Sequence, residues 1–187
     1  ISNRSSGKMG YAIAECARNM GAAVILVSGP VSLGDIPEVK IVKVESAIEM
    51  KHAVLRNCIK ADYIFMAAAV ADYMPAKTTD IKMKRSSDTF RLDLIAAPDI
   101  LKSIQDQSSA VITAFALETH NGEEEARRKM KQKNADYIVL NYANEKGAGF
   151  DSNTNHVTIF SKNGKSRELK KDRKDRIAKK IIEYILS

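Results

Sequence analysis

At 187 residues, with 44% hydrophobic and 28% charged content, the chain has the size and composition of one globular domain with a real core. A formal charge of +7 suits solubility or an anionic small ligand, whereas the 6% aromatic content, not interleaved with basic residues, is a poor match to a nucleic-acid stacking platform. No apolar run approaches the roughly 20 residues of a membrane span, and the first residues are polar and cationic, unlike a secretory leader.

Asn3 to Gly10 is a polar, glycine-bearing loop whose serines can cap a helix from about Lys8 to Met20, closed by Gly21. A stripe of Met9, Ile13, Cys16 and Met20 on that helix predicts a buried free thiol at Cys16. Ala23 to Ser28 reads as a short buried strand, ended by Gly29 and Pro30. Val39 to Val44, interrupted by Lys40 and Lys43, reads as an edge strand. A helix is expected over Ser46 to Cys58, with Ile48, Val54 and Leu55 inward. Asp62 to Ala68 follows as a buried strand.

Ala76 to Asp88 lacks any apolar period and is expected to be a mobile loop or lid. Phe90 to Leu94 is expected to form a strand of a flanking ribbon. Pro98 marks a helix start, with Ile100 to Gln107 behind it. Ala110 to Leu117 is a buried strand, Glu123 to Asn134 a charged helix, and Asp136 to Leu140 a further strand. Gly147 to Asn155 is a turn-rich loop. His156 to Ser161 and Arg167 to Leu169 resemble a hairpin around Asn163-Gly164. The last helix starts near Asp172, with Ile177, Ile181, Tyr184 and Ile185 as its apolar stripe. Alternating strands and helices predict an α/β, Rossmann-like three-layer sandwich with a mainly parallel sheet and a small β-ribbon.

Ile64 to Tyr73 is the stretch richest in chemistry. An apolar strand ends in small residues (Ala67, Ala68, Ala69) and then Asp72, followed by the cations Lys82, Lys84 and Arg85. Ligands of open α/β sheets bind beyond the C-terminal ends of such strands. Small residues let the backbone touch a ligand. Asp72 can hold a sugar hydroxyl, an amino group or a metal, and the lysines can hold phosphates, although charge runs are more often plain solvated surface. Lys129 and Lys133 lie one helical turn apart, with Glu125 a turn earlier; this is either a salt-bridged surface or a phosphate clamp. Phe115 could stack on a base or pack in the core. No P-loop and no Gly-x-Gly-x-x-Gly turn occurs, which argues against a Walker nucleotidase and a standard NAD enzyme. Two cysteines without a framework fit a reducing cytoplasm, and the three histidines show no metal-ligand spacing.

Several segments, in order, resemble the bacterial phosphopantothenoylcysteine synthetase family. They are Ile1 to Asn3 with Ser5 to Gly10, Leu26 to Leu33, Ala67 to Tyr73, Lys82 to Arg85, Ala97 to Ile100, Phe115 to Thr119, Lys129 with Lys133, and Gly149-Phe150. The resemblance implies one ligase domain over residues 1–187, lacking the family's N-terminal strand and a nearby arginine that reaches substrate across a dimer interface. It implies CTP-dependent joining of phosphopantothenate to L-cysteine through an acyl-cytidylate, with magnesium, in a cytoplasmic homodimer sometimes fused to a flavin-dependent decarboxylase. Carried over, Asn3 and Lys82 are catalytic. Met66, Ala67, Ala68, Asp72, Lys82, Ala97, Pro98, Asp99, Ile100, Phe115, Lys129 and Lys133 bind CTP. Asn3, Ala68, Ala69 and Asp72 bind the acyl substrate, and the metal ligands stay unassigned. The competing readings are a nicotinamide-dependent oxidoreductase, whose dinucleotide turn would lie upstream of Ile1, and a basic nucleic-acid-binding module.

Overall fold

A computed structural model of the chain describes residues 5–79, 81, 84, 89, 91–118, 121–142 and 152–187. Its main sheet has five strands. These are β3 (Tyr63–Met66), β6 (Val111–Glu118), β7 (Tyr137–Tyr142), β8 (Thr154–Ser161) and β9 (Ser166–Arg173), in the order β3-β6-β7-β8-β9. The first three run parallel, and the β8–β9 hairpin continues the sheet antiparallel. A separate parallel pair joins β1 (Ile25–Ser28) to β2 (Lys40–Lys43). A small antiparallel ribbon joins β4 (Tyr73–Pro75) to β5 (Leu94–Ala96). The expected α/β sandwich with a ribbon is therefore present, although the sheet is mixed and the parallel pair stands apart from it.

Helices cover both faces of the main sheet. On one side lie α1 (Lys8–Asn19) and α5 (Lys174–Leu186). There Val139, Val157, Ile159 and Leu169 pack against Ile177, Ile181 and Ile185. Ile13 of α1 joins Ala178 and Ile182. On the other side lie α2 (Ala47–Cys58), α3 (Ile100–Ile104) and α4 (Gly122–Gln132). There Ile112, Ala114, Ala116, Ile138 and Leu140 meet Cys58, Leu101, Ile104, Ala126 and Met130. Strand side chains alternate between faces. Ile138 and Leu140 therefore serve one layer and Val139 the other, all at 0–1% exposure. Each such burial contributes about 1.5–3 kcal/mol.

Local chemistry explains the boundaries. Gly21, at φ 88°, closes α1 with paired bonds from its own N–H to Arg18 O and from Ala22 N–H to Ala17 O; this is a Schellman closure. α1 does not start on a serine. Its N-cap is Gly7, at φ 72°, without a side-chain cap. Ser46 caps α2 by accepting from Glu49 N, and Glu49 reaches back to accept from the Ser46 hydroxyl and from Glu45 N, one residue before the N-cap, a variant of the capping box. Met50 and Ala53 carry the inward face of α2, and Ile48, expected inside, is 43% exposed. The helical period puts residue 48 about 200° from residue 50.

Further boundaries differ from expectation. β1 is only partly buried, with Ile25 at its exposed end. β3 ends at Met66, opposite Ala114 of β6, two residues short of the expected end at Ala68. The ribbon strands are Tyr73–Pro75 and Leu94–Ala96, so the expected strand at Phe90 to Leu94 is displaced, and Phe90 itself lies outside the described residues. α3 ends at Ile104, and its cap is Asp99, with Pro98 one residue before it. Cys16 is half-buried and Cys58 buried, both as free thiols, and burial raises the Cys16 pKa.

Candidate functional site

The C-terminal ends of β3 and β6 define the edge at which the sequence places the site. There the chain leaves β3 through Ala67 to Val70, with Ala67 half-buried and Ala68 exposed. The start of α1 lies against this segment: a Cβ built on Gly10 would stand 3.8 Å from the Ala67 methyl. A Cβ on Gly7 would stand only 2.8 Å from Val31 Cγ1, in the loop after β1. The Ser5 to Gly10 loop, the turn after β1 and the end of β3 therefore converge.

Asp72 is exposed, and its carbonyl accepts from Ala97 N at 2.8 Å. The ribbon thus joins two groups that are distant in sequence, Ala67 to Asp72 and Ala97 to Ile100. Met66 and Val70 pack with Ile100 in one apolar cluster, which fixes their backbones beside α3. The Asp99 carboxylate accepts from Lys102 N at 3.2 Å and caps α3, so its visible task is structural.

Phe115 sits elsewhere. Its ring packs with Met9 and with apolar residues of α1 and α5, whereas Ile112, Ala114 and Ala116 face α4. Phe115 and Lys129 therefore lie on opposite faces of the sheet, and only a ligand lying across its edge could reach both. Lys129 forms an ion pair with Glu118, the last residue of β6. Lys133 is the C-cap of α4, one turn further from the strand end. Glu125 does not complete a cluster with these lysines. Arg128 engages it at 2.8 and 3.0 Å and holds its carboxyl below the usual range.

Asn3, Lys82, Met83, Arg85, Thr119 and Gly149-Phe150 lie outside the described residues. Among the described residues no cluster of three or more His, Cys, Asp or Glu could hold a metal. Among the described residues no helix is long and apolar enough to cross a membrane.

Two features escaped sequence reasoning. The Glu118–Lys129 pair spans a loop, and its only signal was an acid closing a buried strand. The second is a cavity of about 500 Å³ where α1 and α5 begin, lined by Lys8, Asn153, Arg173, Lys174 and Asp175. Asp72 is not among its lining residues. Lys8 donates to Asn153 Oδ1 there at 2.9 Å, and Arg173 is engaged by Asp175.

Residues 1–187 match the family model described as the DNA/pantothenate metabolism flavoprotein C-terminal domain. The chain belongs to this family. It is 45% identical over 172 residues to the Coenzyme A biosynthesis bifunctional protein CoaBC of Bacillus subtilis (strain 168), covering 90% of this chain and 42% of that protein. The chain thus spans less than half of that relative. Among solved structures, the C-terminal domain of a CoaBC protein superposes with a TM-score of 0.83 at 39% identity, covering 99% of this chain and 84% of that one. A Cab2 H337A mutant in complex with phosphopantothenate-cysteine matches with a TM-score of 0.75 at 16% identity, over 100% of this chain and 78% of that one. That last likeness concerns the fold alone.

Proposed function

We propose that this domain joins 4'-phosphopantothenate to L-cysteine, with CTP as the activating co-substrate. The observation that carries the reading is the 39% identical CoaBC C-terminal domain, matched over 99% of the chain. The meeting of Ala67 to Asp72 with Ala97 to Ile100 at one sheet edge supports it.

In this reading the substrate carboxylate attacks the α-phosphorus of CTP. A P–O bond forms and pyrophosphate leaves. The amine of cysteine then attacks the acyl carbonyl, an amide forms, and CMP leaves with the electron pair of the broken C–O bond. The first step needs charge neutralisation more than an acid–base pair. Lys82 supplies charge on the triphosphate, and Lys129 and Lys133 add theirs from α4. The backbone of Met66, Ala67 and Ala68 lines the nucleotide, Ala97 to Ile100 frame the base, and Phe115, its ring packed against α1, meets the nucleotide across the sheet edge. Asp72 binds nucleotide, and with Asn3, Ala68 and Ala69 it contacts the acyl substrate.

The residues fit magnesium carried on the triphosphate, because Mg²⁺ is commonly held by phosphates plus one or two carboxylates. The exposed Asp72 could add one such ligand. The metal supplies charge neutralisation at the phosphates.

A homodimer belongs to the same proposal. The β4–β5 ribbon exposes Tyr73 (57%), Leu94 (40%) and Ile95 (45%), and an isolated two-stranded ribbon is marginal without a partner. Fusion to a flavin-dependent decarboxylase accords with a relative named as bifunctional, of which this chain covers 42%. A cytoplasmic location accords with two free cysteines.

The test is calorimetric titration of the folded chain with magnesium-CTP beside magnesium-ATP, repeated for Lys82→Gln. Preferential CTP binding that is weakened in the variant supports the reading. Equal binding of both nucleotides, or no effect of the substitution, counts against it.

A further inference from the structure

Glu118 closes β6 and is the only residue of that strand given a polar task at the site edge. The alternation that turns Ile112, Ala114 and Ala116 toward α4 carries its side chain to the same side. There its Oε1 meets the Lys129 ammonium. The pair is partly sheltered, with the Glu118 side chain 16% and the Lys129 side chain 34% exposed. The acid one helical turn before Lys129, Glu125, would be the usual partner, but Arg128 occupies it with two hydrogen bonds. Lys129 is therefore drawn off its own helix onto the end of a strand.

We propose that Glu118 is a positioning residue that holds Lys129 at the sheet edge for the phosphates of the nucleotide. The inference rests on the nucleotide reading above. An ammonium carries three donors. Glu118 takes one, and the others can meet phosphoryl oxygens. A lysine side chain loses considerable rotamer freedom when it is fixed on a ligand. Glu118 imposes that loss before the nucleotide arrives, so less is lost on binding.

The proposal predicts a sign. A carboxylate near a triphosphate that did nothing but repel it would, once removed, leave CTP bound more tightly. A carboxylate that places Lys129 would leave CTP bound more weakly. Calorimetry with magnesium-CTP on the full chain separates the two. Glu118→Ala is expected to weaken binding about five- to tenfold. Glu118→Gln, whose carbonyl still accepts from the ammonium, should lose less. In a Lys129→Met background, Glu118→Ala should cause no further loss, because the two residues act as one unit. The KM for CTP should rise while that for phosphopantothenate stays put.

Thermal midpoints check the fold of each variant. If Glu118→Ala does not fold, Glu118→Asp keeps the charge but shortens the reach, and it too should weaken CTP. Unchanged or tighter binding in these variants, or an equal loss with and without Lys129, overturns the role while leaving the nucleotide reading intact. A folded parent chain that does not bind CTP overturns both.

Discussion

Gly7→Ala is the most direct probe of how the start of α1 is set. Gly7 occupies the left-handed region at φ 72°, and an L-residue there costs about 1–2 kcal/mol. The added methyl would also stand 2.8 Å from Val31 Cγ1. Val31 is β-branched and stiff, so relief requires a shift of the loop after β1, at roughly 1 kcal/mol or more. Loss of glycine's freedom in the unfolded chain offsets about 0.4–1 kcal/mol. The net expectation is a destabilisation of about 2 kcal/mol, read as a urea midpoint lowered by about 1 M. Val31→Ala separates the two causes. In the double variant the steric part should disappear and the backbone part remain, giving a favourable coupling of about 1 kcal/mol. A Gly7→Ala midpoint within about 0.5 kcal/mol of the parent would refute the reasoning, since neither the left-handed cap nor the close approach could then hold.

Ile138→Ala removes a side chain that is 1% exposed and packed under α4; a loss of about 2–5 kcal/mol is expected by denaturation. Ser46→Ala removes the α2 cap and should cost about 1 kcal/mol, seen as a lowered thermal midpoint. Acid should destabilise the chain. Glu49 is held low by the Glu45 N–H and the Ser46 hydroxyl, Asp172 by Lys180 and the Arg173 N–H, and Asp175 by Arg173. A lowered folded pKa gives stability that is present above the ordinary carboxylate value and lost as pH falls through the folded one. Urea midpoints should thus be flat near neutrality and decline below about pH 4; a midpoint unchanged at pH 3 would contradict this. Asn3→Asp should slow use of phosphopantothenate more than it weakens CTP binding, and equal losses in both would remove Asn3 from its assigned role.

What was legible in the sequence was whatever a local rule governs. Gly21 announced the end of α1 because a helix C-terminus wants a left-handed residue, and the apolar run around Ile112 announced a buried strand. The Asn163-Gly164 pair marked the hairpin. Yet only Gly164 of the two has positive φ, and Asn163 Oδ1 instead accepts from Lys165 N at 3.2 Å, giving a longer loop than the dipeptide suggests. Features settled by distant partners were hidden. Two serines looked like caps for α1, but the nearby Val31 and Ala67 fix the approach to a glycine start. The one ribbon strand expected, at Phe90 to Leu94, was displaced, and its partner at Tyr73–Pro75 went unread, because three-residue strands carry almost no periodicity. Of the site, the grouping of Asp72 with Ala97 was readable only through the resemblance. That Phe115 and Lys129 occupy opposite faces follows from strand register, which one sequence does not state.

The packing of α1 on α5 joins segments from near the two ends of the chain. Ile13 finds Ala178 and Ile182, so the apolar stripe of the earlier helix has only Phe65 and Phe115 of the sheet as partial cover until the later one exists. At the roughly 5–20 residues per second of synthesis, the ~150 intervening residues keep that stripe waiting on the order of ten seconds. During this interval the nascent chain presents a half-built layer to whatever surrounds the ribosome. Release of a shortened chain that stops before residue 174 would make the exposure permanent, which gives quality-control machinery an apolar mark by which to tell unfinished copies from finished ones.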